Sequence, residues 1–365
     1  PDLNGSLHLS KGSLKLPWIE DPDKQTVTDL DMRLEGRFNP ANPDHPFDPE
    51  AWRGRGNLAG RLGDLEATAE FRLGKEAPDG TSLEVWADVP DAPLGAELLE
   101  IVGGEPTIAD LDAMLASHGN ADVTLGIRLR EDVGPDRELQ EALEKFALVR
   151  PRGGAALAYH GVVDRWTRQQ GAGFPVPVQG VSGDITWSDR TEGQFPGQLA
   201  FYDVTCFQAG GPLAVQGSLH FAPRRSATEA LPEDEVPAPF HLIVQSNALP
   251  VDRTFREAFG ALRGVDAAKE IVPEWSPAGG ALDFKLELWR GSESLDMITA
   301  IDASLRGVGF TWKDLPVPVT DTSGTLRIRS HTAGQRTSVQ LNAEARSPIA
   351  SDPVLVTGRT MTSGA

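Results

Sequence analysis

The chain has 365 residues, long enough for two or three ordinary domains or one long repeat array, and 39% of them are hydrophobic. Its 53 acidic against 34 basic residues give a net charge of −19, which repels phosphate backbones and excludes nucleic acid as a natural partner. The single cysteine, Cys206, excludes an intramolecular disulfide framework, and no run of 18 apolar residues exists to cross a membrane as a helix.

Period-two alternation runs through the chain in order. In DLDMRLEG, Leu30, Met32 and Leu34 share a face; in LEATAEFRL, Leu65, Ala67, Ala69 and Phe71 do. DVTLGIRL aligns Val123, Leu125, Ile127 and Leu129, and PLAVQGSLHF aligns Leu213, Val215, Leu219 and Phe221. The run ALDFKLELW sets Leu282, Phe284, Leu286 and Leu288 against Asp283, Lys285 and Glu287. In IDASLRGVGFTW the apolar phase slips, from Ile301, Ala303 and Leu305 to Val308, Phe310 and Trp312, which predicts a glycine β-bulge at 307–309. SVQLNA closes the series with Val339, Leu341 and Ala343. One apolar and one wet face per strand predicts an antiparallel sheet.

Three helices interrupt this pattern. One is expected over 108–118, capped by Thr107 and ended by Gly119. A second is expected over 137–149, capped by Asp136, with Leu139, Ala142, Leu143 and Phe146 on its stripe. A third follows Asp252, with Phe255, Ala258, Phe259 and Leu262 on its stripe and Pro273 beyond it. The acidic, proline-rich run 227–239 reads as a linker or long loop.

Two segments repeat. FPVPVQGVSGDITW (174–187) matches LPVPVTDTSGTLRI (315–328) at an offset of 315 − 174 = 141. PDRELQEAL (135–143) matches VDRTFREAF (251–259), and PRGGAAL (151–157) resembles PAGGALD (277–283). The repeat suggests an N-terminal β segment at 1–84, a first module at 85–226 with helices then strands, and a second at 240–365 with a helix then strands. The second copy is longer, which implies an extra strand and a bulge. Pro-Val-Pro-Val belongs at a strand start or an edge, and Ser-Gly at a turn or kink.

The residues that usually carry chemistry are scattered. The seven histidines show no metal-ligand spacing, and neither a nucleophile elbow nor a phosphate-binding loop occurs. Asp29/Asp31 and Asp110/Asp112 are the nearest carboxylate pairs, and a solvated strand face explains the first. No catalytic residue, metal or cofactor is expected, and Cys206 in its strand-like run reads as a buried, inert thiol.

The stretches SNALPVDRTFREAF, SPAGGALDFKLEL and SLRGVGFTWKDLPVPVTDTSGTLRI, with their shorter counterparts upstream, resemble the AsmA-like/TamB-like bacterial envelope proteins. The resemblance covers roughly residues 85–345 and is best over 245–330. It implies an elongated, curved antiparallel sheet folded into a taco-like groove with a few inserted amphipathic helices. It further implies a non-enzymatic role in moving phospholipid, or another acyl-chain lipid, between inner and outer membranes. The location it implies is the periplasm, with anchoring to the inner membrane by a segment outside this chain. Pro1 opens the chain without a methionine, consistent with a piece of a longer protein. The in-phase apolar residues Leu282, Phe284, Leu286, Leu288, Ile301, Leu305, Phe310, Leu326 and Ile328 are the expected groove lining. Two other readings fit the same strands: a structural or adhesive β-repeat protein that binds glycan or protein, and a carbohydrate-active enzyme on a β scaffold.

Overall fold

A computed structural model gives the fold. It describes residues 3–15, 26–38, 52–62, 65–73, 81–95, 117–130, 143–159, 174–189, 197–208, 211–220, 238–260, 276–291, 296–312, 315–331, 336–347 and 352–363. Seventeen strands belong to one sheet, and the fold is mainly β, as the alternation predicts. Two compact units divide the chain, one of residues 1–112, 119–152 and 185–192, the other of residues 113–118, 153–184 and 193–365.

The first unit is an antiparallel meander of β1 (Leu3–Lys15), β2 (Thr26–Phe38), β3 (Trp52–Leu62), β4 (Leu65–Leu73), β5 (Thr81–Pro93), β6 (Asn120–Arg130) and β7 (Leu143–Pro151). Each pairs with the next in sequence. The second unit begins with the short β8 (Ala156–Tyr159) and most of β9 (Phe174–Ser188), whose last residues pair with β7 inside the first unit. It continues through β10 (Gln198–Gln208), β11 (Gly211–His220), β12 (Phe240–Pro250), helix α1 (Arg253–Gly260), β13 (Ala281–Arg290), β14 (Ile298–Trp312), β15 (Leu315–His331), β16 (Arg336–Arg346) and β17 (Val354–Ser363). From β10 onward every pair is antiparallel and sequential.

Bulges punctuate these strands. The register shifts in β2, β5, β10, β12 and β15 each contain a non-glycine residue in the left-handed conformation: Asp29, Asp91, Asp203, Ala248 and Asp321. Aspartate tolerates that conformation better than most residues. The expected bulge in β14 is present, with Gly307 at φ 64° between Leu305 and Val308. The residue after each bulge is deeply buried: Leu30 3%, Ala92 0%, Val204 3%, Leu249 3%, Val308 4% and Thr322 0% exposed. The extra residue therefore returns the chain to the apolar face and seats one side chain in the core. A bulge also raises local strand twist.

Helix α1 starts as expected. The Asp252 carboxylate accepts the Phe255 backbone N–H at 2.8 Å and the Asp252 carbonyl accepts that of Arg256. The helix expected over 137–149 is corrected: residues 143–149 lie in strand β7. Leu143, Ala147 and Val149 also satisfy a period of two. Pairing Ala147 with Leu125 and Val149 with Val123 extends an apolar face already built by β6, so tertiary pairing overrides the helical stripe. Residues 137–142 lie outside the described residues, as do 107–116 of the first expected helix. His118, at that helix's expected end, instead forms an isolated bridge with Ala156.

The matched regions share a local arrangement. In both copies a bulged strand ends and its next residue donates back to a glycine: Leu94 N–H to the Gly119 carbonyl at 2.7 Å, and Val251 N–H to that of Gly280 at 3.1 Å. Strands β5, β6 and β7 thus correspond to β12, β13 and β14, and β9 to β15. Counted this way the first copy also holds the short β8 between β7 and β9, where the second has no separate strand. Pro151-Arg152-Gly153-Gly154 follows a strand rather than a helix. Pro-Val-Pro-Val does open β9 and β15, but Ser182-Gly183 and Ser323-Gly324 lie inside continuous strands rather than in turns.

Candidate functional site

Registered pairing turns alternation into rows. In the second unit, Val204 faces Val215, Val215 faces Val244, Val244 faces Leu286, Leu286 faces Ile301, Ile301 faces Ile328, and Ile328 faces Val339. One apolar row so crosses β10 to β16 without a polar interruption. Beside it, Phe284, Ala303, Leu326 and Leu341 form a second row, and Leu249, Leu282, Leu305, Gly324, Ala343 and Val356 a third.

All nine residues expected to line a groove lie on this one face. The β14 bulge is what keeps Phe310 in phase with Leu305. Their burial differs. Ile301 and Ile328 are buried, while Leu282, Phe284, Leu286, Leu288, Leu305, Phe310 and Leu326 are only half-buried.

The first unit carries an equivalent face, of which sequence reasoning named fragments but no site. Leu9, Met32, Leu58, Ala69, Ala87, Leu125, Ala147 and Trp187 succeed one another across β1 to β7 and the end of β9. Its rows hold more alanine and glycine than those of the second unit. Val89, Ala92, Ala121 and Val123 form its buried cluster.

The opposite faces are wet and laced with cross-strand pairs. The Asp302 carboxylate takes Arg329 at 2.7 Å and Arg327 at 3.5 Å, and Glu287 accepts from His241 at 2.8 Å and Lys285 at 3.2 Å. Hydrogen bonds from His241 and then Lys285 hold the Glu287 carboxyl below its usual range. Trp86 and Trp289 are exposed among these polar residues, at 40% and 44%. Trp86 meets Phe146 edge-on at 5.9 Å between ring centroids, and the Arg128 guanidinium lies 4.8 Å over the Phe146 ring.

Cys206 sits on the apolar face opposite Leu213, and burial pushes its thiol up to about 11. Asp31 pairs with His8 at 3.1 Å, and its neighbour Asp29 holds the β2 bulge; Asp110 and Asp112 lie outside the described residues. Among the described residues no group of three or more His, Cys, Asp or Glu is placed to hold a metal, and no helix is long and apolar enough to cross a membrane.

Comparison with protein-family models, with curated proteins and with solved structures finds no match for this chain.

Proposed function

We propose that the apolar face binds acyl-chain lipid and that the chain is a non-enzymatic lipid-transport segment of an AsmA-like or TamB-like protein in the bacterial periplasm. What supports this is the unbroken apolar rows, most of whose side chains in β13 to β15 stay half-buried. Apolar surface in that condition is driven to cover itself, at about 2.5 kcal/mol for every 100 Å² removed from water. An acyl chain supplies such cover without requiring any fixed polar group, consistent with a site made of rows rather than of a constellation.

The test is native mass spectrometry of the purified chain before and after delipidation and reloading with phospholipid vesicles. Wild-type protein carries and reloads phospholipid, and Leu286→Asp, placing a charge mid-row, loads much less. A delipidated protein that takes up no phospholipid, or a Leu286→Asp variant that loads like wild type, overturns the reading.

The exposed Trp86 and Trp289 on the polar faces favour a second reading, a repeat protein that binds glycan or protein there. It expects Trp86→Ala and Trp289→Ala to abolish retention on a glycan array while leaving lipid uptake unchanged. Retention that survives both substitutions ends it.

A further inference from the structure

The polar face of the second unit gives most of its basic groups a carboxylate. Arg306 takes Asp283, Lys285 takes Glu287 at 3.2 Å, Arg346 takes Asp321 at 3.4 Å and His331 takes Asp296 at 3.1 Å. The balance fails between β14 and β17. There Arg329 and Arg327 share the single Asp302 carboxylate. Arg329 is the nearer, at 2.7 Å against 3.5 Å, and it also donates to the Ile301 and Ile328 carbonyls at 3.0 and 2.9 Å. Arg359 has no carboxylate partner among the described residues. Two guanidinium groups to one carboxylate, and a third with none, leave positive charge uncompensated in a chain of net charge −19.

Registered pairing sets these charges in one row. Arg327 on β15 faces Gln340 on β16, and Gln340 faces Arg359 on β17. The next row, Thr325, Asn342 and Thr357, is polar and uncharged, and all six side chains are exposed. Two strand spacings separate Arg327 from Arg359, about 10 Å at the backbone. Two arginine side chains at that separation reach a common point above Gln340. Like charges so placed repel, and an anion held between them removes the repulsion. The planar fork of a guanidinium fits the oxygens of a phosphate, and the Gln340 side-chain amide adds N–H donors. The charge of the whole chain selects the size of the ligand. Screening over about 8 Å at physiological salt leaves a small anion under the local cations alone. A broad anionic surface would meet the surrounding carboxylates as well and be repelled.

We propose that Arg327, Gln340 and Arg359 form a binding site for a small soluble phosphate, inorganic or as a monoester, on the face opposite the apolar rows. The site is independent of the lipid reading of those rows. The probe is inorganic phosphate, titrated into the purified chain at low ionic strength and followed by phosphorus NMR line broadening and by calorimetry. Wild-type protein binds it saturably in the millimolar range. Arg327→Gln and Arg359→Gln each weaken binding about three- to tenfold, and Arg359→Lys keeps part of the affinity because a point charge replaces the fork. Arg346→Gln removes the same charge from a paired arginine on the same face and leaves the affinity unchanged. All four substitutions are at exposed positions, and thermal midpoints equal to that of wild type verify the fold. Absence of saturable binding overturns the site. So does equal weakening by Arg346→Gln and Arg359→Gln, which reduces the effect to net charge. Co-sedimentation with phosphatidylglycerol vesicles is the second arm, and wild type and Arg359→Gln are expected to sediment alike. Sedimentation that Arg359→Gln abolishes assigns the arginines to a lipid surface and overturns the soluble ligand.

Discussion

Asp283 on β13 accepts the backbone N–H of Ala248 on β12 at 2.7 Å, and Ala248 is the left-handed residue, φ 59°, of the β12 bulge. The first unit repeats the relationship: Asp122 on β6 accepts the N–H of Asp91, φ 56°, at 3.1 Å in the β5 bulge. An arginine on the far side holds each carboxylate, Arg306 for Asp283 and Arg152, at 2.6 Å, for Asp122. A bulge amide, a carboxylate and a guanidinium thus tie three strands in both copies. The bulge leaves an N–H outside the ladder, and the carboxylate of the next strand satisfies it.

Removing that acceptor loosens the bulge without touching the apolar rows. Asp283→Ala is expected to lower the thermal midpoint by about 2–4 °C. Asp283→Asn, which keeps an acceptor oxygen but loses the ion pair, lowers it less. Differential scanning calorimetry of the two variants checks the order; an Asn variant as damaged as the Ala one shows that the arginine, rather than the bulge N–H, carries the effect.

The same carboxylates make stability pH-dependent. Hydrogen bonds from Arg306 and Ala248 hold the Asp283 carboxyl below its usual range, and those from Arg152 and Asp91 do so for Asp122. A folded-state value below the unfolded one means the folded protein resists protonation. The contribution is therefore complete at neutral pH and is lost as pH falls from about 4 through the lowered folded values. Midpoints measured between pH 7 and pH 3 should be flat down to about pH 5 and then fall, and the fall should be shallower in an Asp122→Asn/Asp283→Asn double variant.

Gly217 marks where two strands come too close for a side chain. Its φ is 128°, and a Cβ there would meet the His241 carbonyl oxygen at 2.0 Å. Gly217→Ala should destabilise by about 3 kcal/mol or more, since backbone strain and a backbone collision add. Gly358 on β17 has open space around it, so Gly358→Ala should be close to neutral. Urea unfolding of the pair separates steric need from generic glycine loss, and equal midpoints would contradict it.

The sequence carried the strands further than their companions. ALDFKLELW became β13, and the phase slip at Gly307 became a bulge, because alternation and glycine act locally. The bulges at Asp91, Asp203 and Asp321 stayed invisible: a left-handed aspartate looks like any polar residue in an alternating run, and only the partner strand reveals the register shift. Residues 143–149 misled for a related reason, since Leu143 and Phe146 fit a helical stripe while Leu143, Ala147 and Val149 fit a strand. Local periodicity does not choose between them; β6 does. The apolar face of the first unit was legible strand by strand in Met32, Ala69 and Leu125. Its continuity became visible only through pairing.

Burial separates two kinds of residue within the lining itself. Ile328 is 1% exposed and lies between Ile301 and Val339, so its side chain is already covered by protein. Ile328→Ala should cost about 2–4 kcal/mol in urea unfolding, through lost burial and the cavity left behind. Leu286, in the same row but half-buried, has less protein cover to lose. Leu286→Ala should cost about 1 kcal/mol, roughly the transfer energy of the part that is covered. Lipid loading should show the opposite weighting: reduced in Leu286→Ala at temperatures where the variant is fully folded, and little changed in Ile328→Ala under the same condition. A loading loss that simply tracks the stability loss across the two variants would mean that the row serves the fold alone.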